Sequence, residues 1–278
     1  MKAKVRINKV VLNAFLWIYV VISIFPIIYM LFFSLKNNDE IFYTNPLGFP
    51  NPIRWANYFD AVTRFNIGRY FMNSMIVTLI SVVFILMISI MFSYAAARMT
   101  FKGSGSIYVY MQLGLFIPIQ VIMIPLAVLV KDLGIRNTYL ALIIPYIAFN
   151  LSFSIMIFYS FFRTLPKELE ESAYVEGASV YQTFIKIIVP VVKPAMATVT
   201  IFAFLNVWNE YIMAQVLNSD QKLKTLPIGL LNFTGQFGTD WGPMGAAMII
   251  ASIPTILLYL FMSEKIENAM TVSGAVKG

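Results

Sequence analysis

The spacing of charges constrains this chain more than any other feature. Twenty-six uncharged residues separate Lys9 from Lys36, and twenty-eight separate Arg69 from Arg98. Another twenty-eight lie between Lys102 and Lys131, twenty-six between Arg136 and Arg163, and twenty-three between Asp240 and Glu264. A sixth window, Lys193 to Asp220, is broken only by Glu210. A helix needs about 20 apolar residues to cross a hydrocarbon layer about 30 Å thick. Core helices of water-soluble proteins keep a charged face, and these windows lack one. Charged residues make up 12% of the chain, against roughly 25% in a soluble domain. The sequence therefore predicts an all-α membrane protein of six transmembrane helices. They fall near Val10–Ser34, Phe71–Ala97, Ile107–Val130, Thr138–Phe162, Pro194–Val216 and Pro243–Met262, in a single transmembrane domain over 1–278.

The net charge of +7 invites a nucleic-acid reading, but the position of the charges argues against it. Lys2, Lys4, Arg6 and Lys9 sit just before the first span, and Lys and Arg collect on cytoplasmic flanks. Six spans from a cytoplasmic N-terminus put twelve basic residues inside, including Arg98, Arg163, Lys167, Lys265 and Lys277, and eight outside. Both termini are then cytoplasmic. The first span is too long for a signal-peptide core and no small-residue cleavage site follows it, so it reads as an uncleaved anchor. There is no Cys and no His. That excludes disulfides, His-based zinc sites, and Ser–His or Cys–His nucleophiles. No Gly-x-x-x-x-Gly-Lys-Ser/Thr loop is present to cradle nucleotide phosphates. No metal, cofactor or catalytic residue is expected.

Three connections are long. Lys36–Arg69 is rich in Pro, Gly and Asn and reads as turns followed by a short helix around Trp55–Val62. Asn218–Trp241 contains an uncharged stretch, Thr225–Phe237, too short to span and read as a surface or re-entrant segment. The third, Arg163–Lys193, is the most informative. Pro166 suits a helix's first turn, and Glu168, Glu170 and Glu171 then place carboxylates at the positive end of its dipole. Gly177 can take positive φ and end that helix. Ser179 with Gln182 makes a capping-box pattern that starts a second helix, with Tyr181, Phe184, Ile185 and Ile188 at helical spacing before Pro190. The prediction is a helix-turn-helix on the cytoplasmic face between spans four and five. Such an element either rests on lipid headgroups or seats its small acidic helix in a groove on another protein. Its carboxylates favour the second, because anionic lipid repels them.

The run Glu171-Ser172-Ala173-Tyr174-Val175-Glu176-Gly177-Ala178 resembles the Glu-Ala-Ala loop of ATP-binding-cassette importer permeases, which ends in a proline, here Pro190. Phe71-Met72-Asn73-Ser74, Asn137-Thr138-Tyr139, Trp208-Asn209-Glu210, Thr239-Asp240-Trp241-Gly242 and the terminal Gly274-Ala275-Val276-Lys277-Gly278 extend the resemblance, in order, to the maltose-transporter type of sugar permease. Ser172 stands where that family usually has Ala, and Ile266-Glu267-Asn268-Ala269-Met270 lacks its usual Gly. The resemblance implies one permease subunit of a carbohydrate importer in the bacterial inner membrane. The implied partners are a homologous second permease subunit, two ATPase subunits, an extracellular solute-binding protein, the sugar and surrounding lipid. It further implies that the loop is a coupling helix seated in an ATPase cleft, with Glu171 and Gly177 as its main residues and Ala173 and Ala178 allowing close approach.

Glu210 is the lone acid within the predicted spans. Intramembrane acids are costly, face the bundle interior and often mark a pathway. Asn206 lies four residues before it on the same face, with Trp208 and Asn209 alongside. Trp208 can stack on a sugar ring while Asn209 or Glu210 takes hydroxyls; equally, Glu210 can cap or bridge helices. A proton- or sodium-coupled transporter that titrates Glu210 is the alternative function, weakened by the scarcity of other ionisable groups in the spans. A membrane enzyme is disfavoured by the missing His and Cys. Pro118, Pro125 and Pro145 are expected to kink their spans.

Overall fold

The computed structural model describes residues 2–235 and 238–275, with side chains over 11–234 and 238–262. The side chains of Lys2, Lys4, Arg6, Lys9 and the Ile266–Met270 run, and the tail residues Val276, Lys277 and Gly278, lie outside the described residues. The helices are α1 (Lys2–Ser34), α2 (Ala56–Thr63), α3 (Ile67–Arg98), α4 (Ser104–Gln112), α5 (Ile119–Asp132), α6 (Leu140–Thr164), α7 (Glu168–Val175), α8 (Val180–Thr183), α9 (Val189–Val191), α10 (Lys193–Trp208), α11 (Ile212–Leu217), α12 (Leu226–Gly229) and α13 (Trp241–Ala275). A two-residue antiparallel hairpin, Thr234–Gly235 with Gly238–Thr239, is the one departure from helix among the described regular elements.

Among the described residues, four helices are long and apolar enough to cross a membrane: Val11–Ser34, Ile67–Arg98, Leu140–Thr164 and Trp241–Met262. Two bent pairs reach that length only together, Ser104–Phe116 with Ile119–Asp132 at 100° and Val180–Val191 with Lys193–Trp208 at 73°. Four of the six windows thus hold one long helix each, and the other two fall on the bent pairs. The third window was expected to hold one kinked helix and holds a sharp bend. Ile117 and Pro118 are extended (ψ 109° and 129°), because proline drives the residue before it out of the helical region and brings no N–H of its own. Pro125 and Pro145 instead sit inside continuous helices.

The fifth window also differs from a single helix over Pro194–Val216. α10 stops at Trp208, and α11 begins at Ile212. The limb that pairs with α10 is Val180–Val191, the second helix of the hairpin. Pro194 lies in the first turn of α10, and Val192 before it is non-helical (φ −89°, ψ 9°).

The contacts divide the chain into two units, 1–68 with 229–253 and 69–228 with 254–278. In the first, Lys36 is buried just after α1 and its ammonium donates to the carbonyls of Asn45 (2.6 Å) and Pro46 (3.2 Å). Burial pulls its pKa below the ordinary lysine value, and Glu40 pulls the other way. Asn57 on α2 donates to the carbonyls of Ser34 and Lys36, both at 2.8 Å. A Cβ on Gly242 would collide with the Lys36 carbonyl and the Asn57 amide, so that position in the first turn of α13 needs glycine. In the second unit, Ala195, Val199 and Ala203, spaced four apart, give α10 a buried face of small residues. Small residues let helices approach closely, which matters where lipid supplies no hydrophobic drive between them.

Candidate functional site

The hairpin between α6 and α10 is built by local rules. α7 opens with Glu168, Glu170 and Glu171 in its first turn. It closes at Gly177, whose φ of +82° is left-handed and favours glycine. The Gly177 N–H donates to the Tyr174 carbonyl (3.0 Å) and the Ala178 N–H to the Ala173 carbonyl (2.9 Å). These two bonds are a Schellman closure, which satisfies carbonyls that a helix end leaves unpaired. Two residues on, the Gln182 N–H donates to Ser179 Oγ (3.3 Å) and the Ser179 N–H to Gln182 Oε1 (2.9 Å). That is the expected capping box, and it starts α8.

The coupling residues separate by exposure. Glu171 and Gly177 are exposed, Ala178 is half-buried, and Ala173 is only 3% exposed. Ala173 therefore lets α7 approach this chain's own interior. A shallow cavity of about 360 Å³ runs beside α7, lined by Pro166, Glu168, Leu169, Ser172, Ala173, Glu176 and Ile187.

Sequence reasoning missed what fastens the hairpin. Glu170 is 8% exposed. Its carboxylate accepts from Arg98 Nη2 (2.7 Å) and Nε (3.0 Å), at the last residue of α3. The same guanidinium donates to the carbonyls of Phe162 (3.3 Å), Leu165 (3.0 Å) and Pro166 (3.1 Å), where α6 ends. One planar fork thus ties three elements, a task suited to arginine's fixed donor geometry. Charge at a helix end was a legible signal. Which of three neighbouring glutamates it serves, 72 residues away, was not.

The Glu210 cluster was legible as a cluster, and the structure gives its form. Glu210 sits in the break between α10 and α11. Its carboxylate accepts from the N–H groups of Met213 (2.8 Å) and Ala214 (3.1 Å), capping the start of α11. It also accepts from the Tyr146 hydroxyl of α6 (2.6 Å). One turn away, Asn206 donates to Asn150 on α6 (3.2 Å), and Asn150 donates to the Tyr146 carbonyl (2.8 Å). The result is a polar ladder between α6 and α10, with rungs at Tyr146–Glu210 and Asn150–Asn206. Asn206 and Asn209 are exposed. Trp208 is 3% exposed, stacked on Phe204 (5.5 Å between centroids) and edge-on to Phe71 (5.6 Å). Its ring is packed inside and does not offer a sugar the open face that the sequence reading gave it.

Asn73, Asn137 and Tyr139, from two of the other signature runs, hold corners. Asn73 binds the carbonyls of Lys222 and Lys224, and Tyr139 donates to Asn73 Oδ1. Asn137, at φ +57°, accepts the Ser219 N–H (2.8 Å).

Four membrane-length helices and two bent pairs, with a doubly capped hairpin between the fourth and fifth windows, define a multi-pass membrane component. The chain belongs to the binding-protein-dependent transport system inner membrane component family, whose model matches residues 89–272. It is thus a transport subunit of the inner membrane, dependent on a binding protein, and not an enzyme. It is 34% identical to the diacetylchitobiose uptake system permease protein NgcG of Streptomyces coelicolor, over 93% of this chain and 86% of that one. It is 32% identical to the multiple sugar-binding transport system permease protein MsmG of Streptococcus mutans, over 100% of each. In fold it is similar to a chain of a bacterial ABC transporter involved in the import of the acidic polysaccharide alginate, with a TM-score of 0.81, 22% identity, and coverage of 93% and 96%.

Proposed function

We propose that this chain is one permease subunit of an ATP-driven carbohydrate importer, forming half of the translocation path and passing ATPase closure to the membrane helices. The sugar class is carried by one observation: relatives named for diacetylchitobiose, multiple sugars and starch degradation products align with nearly the whole chain. Both termini lie in the cytoplasm. The partners are a homologous permease subunit, two ATPase subunits and an extracellular solute-binding protein.

In this reading the hairpin is the coupling element. Exposed Glu171 and Gly177 face the ATPase, Ala178 lies at the edge of the contact, and Ala173 backs α7 onto the bundle. Exposed Glu168 and Glu176 extend the acidic face. Closure of the ATPase dimer pulls the hairpins of the two permease subunits together, and the spans rock between two packed states. Asn206 and Asn209 face the path, while Glu210 and Trp208 hold the bend behind them. Three donors occupy the Glu210 carboxylate, which commits it to that bend rather than to carrying an ion.

The test is co-purification with the ATPase, the second permease subunit and the binding protein, a ligand screen on the binding protein, and uptake into proteoliposomes. Uptake that needs ATP and the binding protein, for a saccharide, is expected. Uptake driven by a pH or sodium gradient without ATP would refute the assignment.

A further inference from the structure

Proline sets one long helix apart from the other three. α1, α6 and α13 carry internal prolines at Pro26, Pro145 and Pro254. α3 has none across its 32 residues, so it forms a rod about 48 Å long at 1.5 Å per residue. A rod transmits motion only if both ends are held, and both are. At one end Asn73, 4% exposed, donates to the carbonyls of Lys222 and Lys224 (both 2.9 Å) and accepts from the Tyr139 hydroxyl (2.7 Å). Beside it, Ser74 Oγ accepts the Leu226 N–H (2.8 Å). At the other end Arg98 holds the Glu170 carboxylate of α7 and the three carbonyls that close α6.

We propose that α3 is the transmission rod of the subunit, with Arg98 and Asn73 as the positioning residues that fasten it. Arg98 joins it to the hairpin, and Asn73 joins it to the 218–226 segment at the opposite end. The inference rests on the reading of the hairpin as the ATPase grip. When the hairpin moves, the Arg98 fork obliges α3 and the end of α6 to move with it as one body. Asn73 hands that displacement to the far segment. A linkage through α6 alone would cross Pro145, where the helix lacks one backbone N–H donor and yields more easily.

A purely structural role would stabilise the same contacts without setting how much transport each ATP supports. The deciding quantity is therefore ATP hydrolysed per solute imported, measured on the full complex in proteoliposomes with Arg98→Lys, Asn73→Ala and both together. Lysine keeps the charge beside Glu170 but cannot reach the carboxylate and three carbonyls at once. We expect the ATPase to stay bound and hydrolysis to hold, while import drops about tenfold in each single variant, the upper range for a mutation along a coupling network. The double variant should be no worse than the weaker single, because a rod freed at either end is already disconnected. An unchanged ratio in both singles, multiplied losses in the double, or loss of the ATPase from both singles would overturn the proposal. Failure of the wild-type chain to retain any ATPase would instead refute the hairpin reading, and shows before a variant is made.

Discussion

The second unit contains two glutamates tied down in opposite ways. Glu170 is held from afar: its main partner is an ionised side chain on another helix, 72 residues away in sequence. Glu210 is held from nearby, by backbone N–H groups three and four residues on, with a single distant donor in Tyr146. The first is a joint between elements, and the second shapes its own chain. A carboxylate withdrawn from water is expensive to keep, and here the expense is offset by fastening in one case and by bending in the other. The difference teaches that the same side chain can serve as a joint between distant elements or as a shaper of its own chain.

The comparison can be pressed with variants. The largest effect is expected from Gly177→Pro, which touches neither glutamate. Proline fixes φ near −65° where the hairpin needs +82°, so the closure of α7 is lost. The subunit should still insert, with uptake reduced to background and the ATPase loosened in pull-downs; normal uptake would remove the hairpin from the mechanism. Next is Arg98→Ala. It leaves the buried Glu170 carboxylate without a counter-charge, at a cost of about 3–5 kcal/mol, read as a lowered thermal unfolding midpoint and faster proteolysis within 165–192. Tyr146→Phe should cost less, about 1–2 kcal/mol, because two N–H donors still hold Glu210. A loss as large as that of Arg98→Ala would erase the distinction between joint and bend. Ser179→Ala removes the cap of α8 and should cost about 1 kcal/mol, with uptake near normal. A collapse of uptake in that variant would mean that the capping box does more than start a helix.

What was legible follows the same division between local and distant. Gly177, Ser179 and Gln182 announced the hairpin because each acts on backbone within four residues, and the pattern is its own evidence. The short helix expected around Trp55–Val62, after a run of turn residues, is found at Ala56–Thr63. Pro118 was readable as a disturbance, but not as a 100° bend, since its depth depends on what packs on either side. There, a Cβ on Gly114 would collide with Ser152 Oγ of α6. Arg98 was legible as a flank charge only, because nothing in the sequence tells Glu170 from Glu168 or Glu171. The packing of Trp208 was not legible, because an aromatic beside polar residues looks alike whether it faces a path or Phe204 and Phe71.

The most direct measurement uses the absence of cysteine from the chain. A single Glu171→Cys variant carries one thiol, on the exposed face of α7. Its labelling rate by a water-soluble maleimide would be measured on the permease pair alone and on the complex with the ATPase. Fast labelling alone and strong protection in the complex is the predicted result. Equal rates in an intact, transporting complex would contradict the account, since the ATPase would then be held somewhere other than the hairpin.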